Sequence, residues 1–424
     1  MSKKGMSRRD FLKFTAAGLG GCVYLGANEK SLSAEVQEEK EEKIIYRTLG
    51  KTGIKLPVIT MGVQNSDNPN LVRAALDAGM VHLDTAHYYQ RGTNEGMIGE
   101  VVKGRSRDSF VIATKESLPK DRITGLYRGG ATEEAFLREL DISLKRLGLE
   151  YVDILYQHNV WNRETALFEP ILKALEKAKK EGKTRFVGVS THRNEPEIIK
   201  AAVDSKVYDV VETAYNFRQK HYVEVRNAIA TAAKAGLGVV AMKTIGGWSP
   251  EWQKHFGDLG ASRGPYGTDQ GVDARAAMKW VLQDPNVHTI IAGFTTFDQM
   301  KLDLSIMKDP TLTTPEKAHL QRAISLASLY CQGCEQCLKS CPAQLPIPDL
   351  MRAYMYLYGY RNLVEAQDLL SSLDLPANPC GDCGSCPVQC LNQWNVSERV
   401  RNIVRLRDVP SEFIADSREA AGRD

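Results

Sequence analysis

A chain of 424 residues, 43% hydrophobic and 25% charged, has an ordinary globular composition and a length suited to two or three domains. Its net charge of +3, with no basic stripe interleaved with aromatic residues, excludes nucleic acid as an expected partner. No uninterrupted apolar run reaches the ~18–20 residues of a membrane span, and the cysteine-free stretch from 23 to 330 excludes a disulfide framework for the middle of the protein.

The first element, residues 1–34, reads as an address. Ser7-Arg8-Arg9-Asp10-Phe11-Leu12-Lys13 precedes a mildly apolar, Gly/Ala-rich stretch from Phe14 to Ala27, and the pattern resembles a twin-arginine (Tat) export signal. That resemblance implies the Tat translocase as a partner and passage in the folded state. The expected location is periplasmic or membrane-associated on the outer side of the cytoplasmic membrane; an unused signal would leave the chain in the cytoplasm. Ala27 and Ala34 are both cleavage candidates. Leu19-Gly20-Gly21-Cys22 loosely resembles a lipoprotein box, against the plainer reading of Cys22 as one more small residue of the signal. Residues 35–43 (EVQEEKEEK) form a charged linker with no hydrophobic face.

From 44 to 310 the pattern changes. A hairpin is expected over Ile44–Leu56, turning at Gly50-Lys51-Thr52-Gly53. Short runs rich in Val and Ile follow at Val58–Met61, Val81–Asp84, Phe110–Thr114, Val152–Gln157, Thr184–Val189, Asp209–Thr213, Gly238–Met242 and Val287–Ala292. Stretches of helical period separate them, among them Thr132–Leu147, Leu167–Glu181, Val223–Ala235 and Val272–Leu282, with glycine caps at Gly79, Gly148, Gly182 and Gly236. Continuous apolar strands alternating with helices imply a parallel sheet covered by helices. Eight such units in about 250 residues fit a (β/α)8 TIM barrel. A doubly wound sheet is disfavoured, because Gly62-Val63-Gln64-Asn65-Ser66 after the first strand lacks a G-x-G-x-x-G phosphate loop.

Barrel enzymes carry their chemistry at the C-terminal ends of the strands. Asp84, Lys115 and His158 end three successive strands here, and Ser190 follows the next. Asp84 and Lys115 by themselves would serve equally well as a rim ion pair, and a lone strand-end histidine is commonly structural. Tyr89 lies five residues past Asp84. A tyrosine pKa of about 10 is high for a proton donor near neutrality; a neighbouring Lys115 ammonium would lower it, with Asp84 fixing the lysine and His158 polarising a substrate carbonyl. Positioned proton transfer of this kind is worth ~10²–10⁴ in rate. His87, Tyr88 and Trp161 read as surface aromatics of the substrate loops, with no role assigned.

These residues resemble the aldo–keto reductase superfamily. The likeness runs from Tyr46-Arg47-Thr48-Leu49-Gly50-Lys51-Thr52-Gly53 to about Met307, through Asp84-Thr85-Ala86-x-x-Tyr89, Asn94-Glu95-x-x-Ile98-Gly99, Thr114-Lys115, Asp153-x-Leu155-x-x-His158 and Gly188-Val189-Ser190. It implies a catalytic tetrad of Asp84, Tyr89, Lys115 and His158 with Tyr89 as general acid. It also implies a carbonyl or alcohol substrate and a nicotinamide cofactor, NAD(P)(H), near Ser190, Thr191, Glu212, Met242, Lys243, Gly293 and Thr295. Four positions depart from the family pattern: Thr191 for Asn, Glu212 for Gln, Met242 for an aromatic, and Gln299 for the arginine that holds an adenosine 2′-phosphate. NADP preference is thereby put in question. Lys243 suits a phosphate or plain solvent equally.

The last domain, 311–410, holds eight of the nine cysteines. Cys331, Cys334, Cys337 and Cys341 are spaced C-x2-C-x2-C-x3-C and followed by Pro342; Cys380, Cys383, Cys386 and Cys390 repeat the intervals and are followed by Leu391. Two four-thiolate runs point to two [4Fe–4S] clusters rather than zinc. The run resembles that of two-cluster ferredoxins, in which the fourth cysteine ligates the other cluster. That resemblance implies one set of Cys331, Cys334, Cys337 and Cys390, and another of Cys380, Cys383, Cys386 and Cys341. Helices are expected at Ile347–Leu357, Asn362–Leu373 and Val396–Leu406, so the domain is a small α-helical ferredoxin-like unit, with a tail from 411 to 424. Three readings stand: a reductase exchanging electrons with a redox partner protein, a reductase whose clusters are structural, and an electron-transfer protein whose barrel is a docking scaffold.

Overall fold

The computed structural model describes residues 43–246, 272–324, 329–360, 362–381 and 383–410. The expected signal with Cys22, the linker up to residue 42 and the tail from 411 lie outside the described residues. Among the described residues, no helix is long and apolar enough to cross a membrane.

The hairpin forms from β1 (Tyr46–Thr48) and β2 (Lys55–Pro57), antiparallel, with Gly53 at a left-handed φ of 73° in the turn. Eight strands then close a barrel. They are β3 (Ile59–Gly62), β4 (His82–Asp84), β5 (Val111–Glu116), β6 (Val152–Gln157), β7 (Thr184–Thr191), β8 (Val210–Ala214), β9 (Gly238–Met242) and β10 (Thr289–Ala292). Each pairs in parallel with its sequence neighbours, and β10 returns to β3 through Ile290–Ile59 and Ala292–Met61. The strands are apolar along their length because both faces are covered: one by side chains filling the barrel, the other by the helices. β5 and β7 run further than the Val/Ile runs suggest, since the polar residues Lys115, Glu116, Ser190 and Thr191 also pair in the sheet.

The helices start and stop where local chemistry directs. Glu133–Leu147 is capped by the Thr132 hydroxyl, which accepts from the Ala135 N–H, and ends at Gly148 with φ 64°, whose N–H closes on the Leu144 and Lys145 carbonyls. A β-carbon would make that left-handed cap costly.

The C-terminal region carries helices Ile347–Tyr358, Leu363–Ser371 and Val396–Val404. They share their own apolar core, built on Leu350, Met351, Leu370, Val400 and Ile403. Helix Thr314–Ala323, expected with this region, packs instead on the barrel: Leu320 and Ala323 contact Phe217 and Ala276, and Lys279 reaches Glu316 at 3.1 Å. The described residues fall in one compact unit rather than two. The reason is a polar seam. Arg193 pairs with Asp349 at 2.8 Å, both 1% exposed; Arg91 grips Asp368 with two bonds of 2.7 and 2.5 Å; Asn362 meets Asn65 at 3.1 Å. All three barrel partners lie past C-terminal strand ends, so the C-terminal helices sit across the barrel mouth.

Candidate active site

β4 ends in Asp84, and the next strand, β5, presents Lys115 two positions past Ala113, the register partner of Asp84. The Lys115 ammonium is fully buried, bonded to the Asp84 carboxylate and to the Thr85 carbonyl at 3.0 Å, with Glu212 of β8 at 3.6 Å. A buried ammonium needs such partners to remain charged, and burial alone would lower its pKa; Asp84 and Glu212 more than restore it.

Tyr89 opens a tight turn after β4. Gln90 and Arg91 adopt left-handed backbone at φ 51° and 55°, and the Gln90 amide donates to the Gln64 carbonyl at 3.1 Å. Asn159, Asn194 and Lys243, also past strand ends, share the left-handed conformation. Strained non-glycine backbone concentrated at one rim is a mark of a functional site. The turn holds the Tyr89 ring with its centroid 5.4 Å from the Lys115 nitrogen.

The expected lowering of the Tyr89 pKa is not what this arrangement produces. Burial first, then Asp84 and Glu212, push the phenol well above its ordinary value. The physical reason is first that the buried phenol has no water to solvate a phenolate, and then that the Asp84 and Glu212 charges oppose its ionisation. Glu212 is itself displaced: burial, then the Asp84 charge, raise its carboxyl to about 8, against the pull of Lys115. Its carboxyl thus holds its proton to higher pH than a solvated carboxylate would, although one of its oxygens lies 3.6 Å from the Lys115 ammonium.

His158 follows β6, and burial, then Lys115, hold its imidazole well below the usual pKa, so it is neutral. Tyr88 stacks on the ring at 5.0 Å and 13°, and Tyr89 meets it edge-on at 5.9 Å. The role of Tyr88 is visible only in three dimensions; its adjacency to Tyr89 was the sole sequence signal.

An open cavity of about 1340 Å³, its mouth included, lies over these strand ends. Asp84 and Tyr89 line it, as do Glu212, Met242, Lys243 and Gly293 of the expected cofactor set; His158 and Lys115 stand behind the wall. Ser190, Thr191 and Thr295 do not line it. The Ser190 hydroxyl accepts from the Asn159 N–H at 3.0 Å, the Thr191 hydroxyl has the Val160 and Arg193 carbonyls at 2.7 and 2.6 Å as alternative acceptors for its one proton, and the Thr295 N–H donates to Gln299 at 2.8 Å. The C-terminal region completes the wall with Leu329, Tyr330, Met355 and Tyr360, which strand-end reasoning has no means of finding.

The aldo/keto reductase family matches residues 54–265, half of the chain. The chain belongs to the aldo/keto reductase family. It is 26% identical to L-glyceraldehyde 3-phosphate reductase of Escherichia coli (strain K12) over 337 residues, 68% of this chain and 94% of that protein. It is 33% identical to L-galactose dehydrogenase of Arabidopsis thaliana over 163 residues, 35% of this chain and 49% of that one. Among solved structures, the holo form of an aldo-keto reductase from Bacillus halodurans is similar in fold, with a TM-score of 0.51 and 23% identity over 69% of this chain and 99% of that chain. As a member of this family the protein is an oxidoreductase.

The cysteines divide between two small cavities. Cys331, Cys334, Cys337 and Cys390 line one; Cys341, Cys380, Cys383 and Cys386 line the other. None of the eight is in a disulfide. Among the described residues, the His/Cys/Asp/Glu atoms that come within 4.8 Å of one another in a group of three are those of His87, Glu116 and Glu139; no three thiols do. Gly333, between the first two cysteines, has φ 63°, and a β-carbon there would stand 2.7 Å from the Arg193 Cγ. Glycine is thus required both by the backbone and by the barrel seam.

Proposed function

We propose that this oxidoreductase exchanges hydride between a nicotinamide cofactor and a carbonyl or alcohol, with Tyr89 as the proton donor, and that its C-terminal region carries two [4Fe–4S] clusters. The observation that carries the catalytic reading is the placement of Tyr89 and Asp84 on the cavity wall directly over a buried, charged Lys115. When bound, the nicotinamide supplies the hydride and the clusters supply one-electron steps. The chain's own residues do the rest. Tyr89, kept protonated by its surroundings, delivers its proton to the oxygen of the reduced carbonyl, and Lys115 and Asp84 hold the phenol's environment rigid and ionised. Neutral His158 acts through its ring against Tyr89. The wall bearing Gln299 and Asp303 offers an amide and a buried carboxyl, raised to about 8 by burial, instead of an arginine. That chemistry supports NADH over NADPH.

Two features support the cluster reading. Each cavity holds four thiols, divided as cross-ligation between the runs requires. One tetrahedral zinc with Zn–S bonds of about 2.3 Å would draw its sulfurs to about 3.8 Å from one another, closer than any three thiols come here. We also infer export of the folded chain through the Tat route, on the strength of Ser7–Lys13.

The test is Tyr89→Phe in the anaerobically purified full chain. Carbonyl reduction is expected to fall ~10²–10⁴-fold, while NADH binding, followed by fluorescence, is retained and exceeds NADPH binding. Unchanged turnover would leave the barrel a docking scaffold for an electron-transfer protein.

A further inference from the structure

A second pocket opens from the main cavity where the C-terminal helix Ile347–Tyr358 crosses the mouth. It spans about 360 Å³, its open mouth included, and shares His192, Lys243, Tyr330 and Met355 with the main cavity. Its other lining residues include Arg193, Arg352 and Cys331. Four of its side chains are therefore nitrogen bases or cations, and none is a carboxylate.

The charges in and around it are not balanced. Arg193 is committed to Asp349 at 2.8 Å, with Glu335 at 3.8 Å. Arg352 has the Asn159 side-chain carbonyl at 3.4 Å as its one hydrogen-bond acceptor among the described residues, leaving most of its fork of donors unused. Asp349, the carboxylate that acts on Arg352, is the one Arg193 holds. Lys243 lies 5.3 Å from the Tyr360 ring centroid and sits in strained backbone at φ 56°. Glu212 faces it at longer range from the main cavity, and Lys115 opposes that influence. The buried His192 Nδ1 has no partner among the described residues. Burial, then Arg352 and Lys243, keep that imidazole neutral, free to donate or accept.

We propose that this pocket is an anion seat for the substrate, in which a carboxylate or phosphate is held by Arg352, Lys243 and His192 while the carbonyl reaches toward Tyr89. The inference rests on the hydride-transfer reading for the carbonyl's position, but not for the seat. Arginine supplies a planar fork and lysine a point charge, a pairing suited to oxyanions. The substrate class is thereby narrowed to small oxo- or hydroxy-compounds bearing one acidic group, and a residue of the C-terminal region becomes part of substrate recognition. A cofactor diphosphate shares the same chemistry, and Cys331 at the edge raises a third role for the cations, that of offsetting the charge of a thiolate-ligated cluster.

The three are separated by titrating the full, cluster-loaded chain calorimetrically with inorganic phosphate at constant ionic strength. One saturable site is expected, weakened at least roughly tenfold in Arg352→Gln and only partly weakened in Arg352→Lys, which keeps the charge but loses the fork. Pyruvate should compete with phosphate, and hydroxyacetone, its neutral analogue, should not. Saturating NADH, with binding verified by its fluorescence, should leave phosphate affinity unchanged. Displacement of phosphate by NADH would reassign the pocket to the cofactor and overturn the proposal. So would phosphate binding that is absent or insensitive to Arg352→Gln, the cluster absorbance showing that each variant is loaded. Because phosphate binding needs no turnover, loss of the seat with an intact Tyr89→Phe effect would sink the seat alone.

Discussion

Replacing Glu212 with glutamine removes a buried titrating carboxyl from the site while keeping the side chain's shape. Glu212 is 2% exposed and its carboxyl is raised from 4.5 to about 8, chiefly by burial and then by Asp84. The folded state thus holds a proton that the unfolded chain releases between those values. Stability from this group is full below about pH 4.5 and is lost as pH rises toward 8. The loss over that window is on the order of a few kcal/mol, set chiefly by the cost of a buried carboxylate charge. Glu212→Gln should match the wild type near pH 5 and exceed it by up to several kcal/mol near pH 9. Residual slope is expected from Asp303, raised to about 8, and Glu365, raised to about 7, both primarily by burial. Urea unfolding of the full chain at pH 5, 7 and 9, followed by tryptophan fluorescence, measures the difference. NADH binding gives a second reading: it should weaken above pH 8 in the wild type and persist in Glu212→Gln. Parallel pH profiles in the two proteins would refute the assignment of a protonated Glu212.

The seam between barrel and C-terminal helices makes a second prediction. Asp349→Asn strands the buried Arg193 charge, and removing one partner of such a pair costs ~3–5 kcal/mol; the urea midpoint should fall accordingly and recover in the double variant Arg193→Met/Asp349→Leu. A loss under ~1 kcal/mol would show that the pair is solvated in solution. For the clusters, Cys331→Ser with Cys390→Ser should remove half of the bound iron, because both thiols line one cavity. Cys380→Ser with Cys390→Ser, one from each cavity, should remove nearly all of it. The opposite result by iron analysis would mean that each run binds its own cluster.

Much of the barrel was legible because its signal is local. Val152–Gln157 and Gly238–Met242 form strands at the residues the apolar runs mark, and the glycine at 148 closes its helix as such a cap should. Strand direction then carries Asp84, Lys115 and His158 to one rim, and the turn brings Tyr89 beside them. The cysteine intervals were equally plain, since a fixed spacing is itself a statement about which thiols share a loop. Chain order alone placed these groups.

Ionisation and cover were decided elsewhere. The Tyr89 pKa is raised first by burial and then by Asp84 and Glu212, the last more than a hundred residues onward and brought to the site only once β8 closes beside β7. The cover on His158 comes from Tyr88 stacking across its ring. Arg352 reaches the pocket beside the main cavity because Arg193–Asp349 draws its helix over the mouth, and Arg91–Asp368 draws the next helix there too. Secondary structure follows from neighbours along the chain, so the sequence by itself determined the barrel, its rim and its thiol runs. A pKa or a pocket follows from what burial and charge bring through space, and that the tertiary structure alone decided.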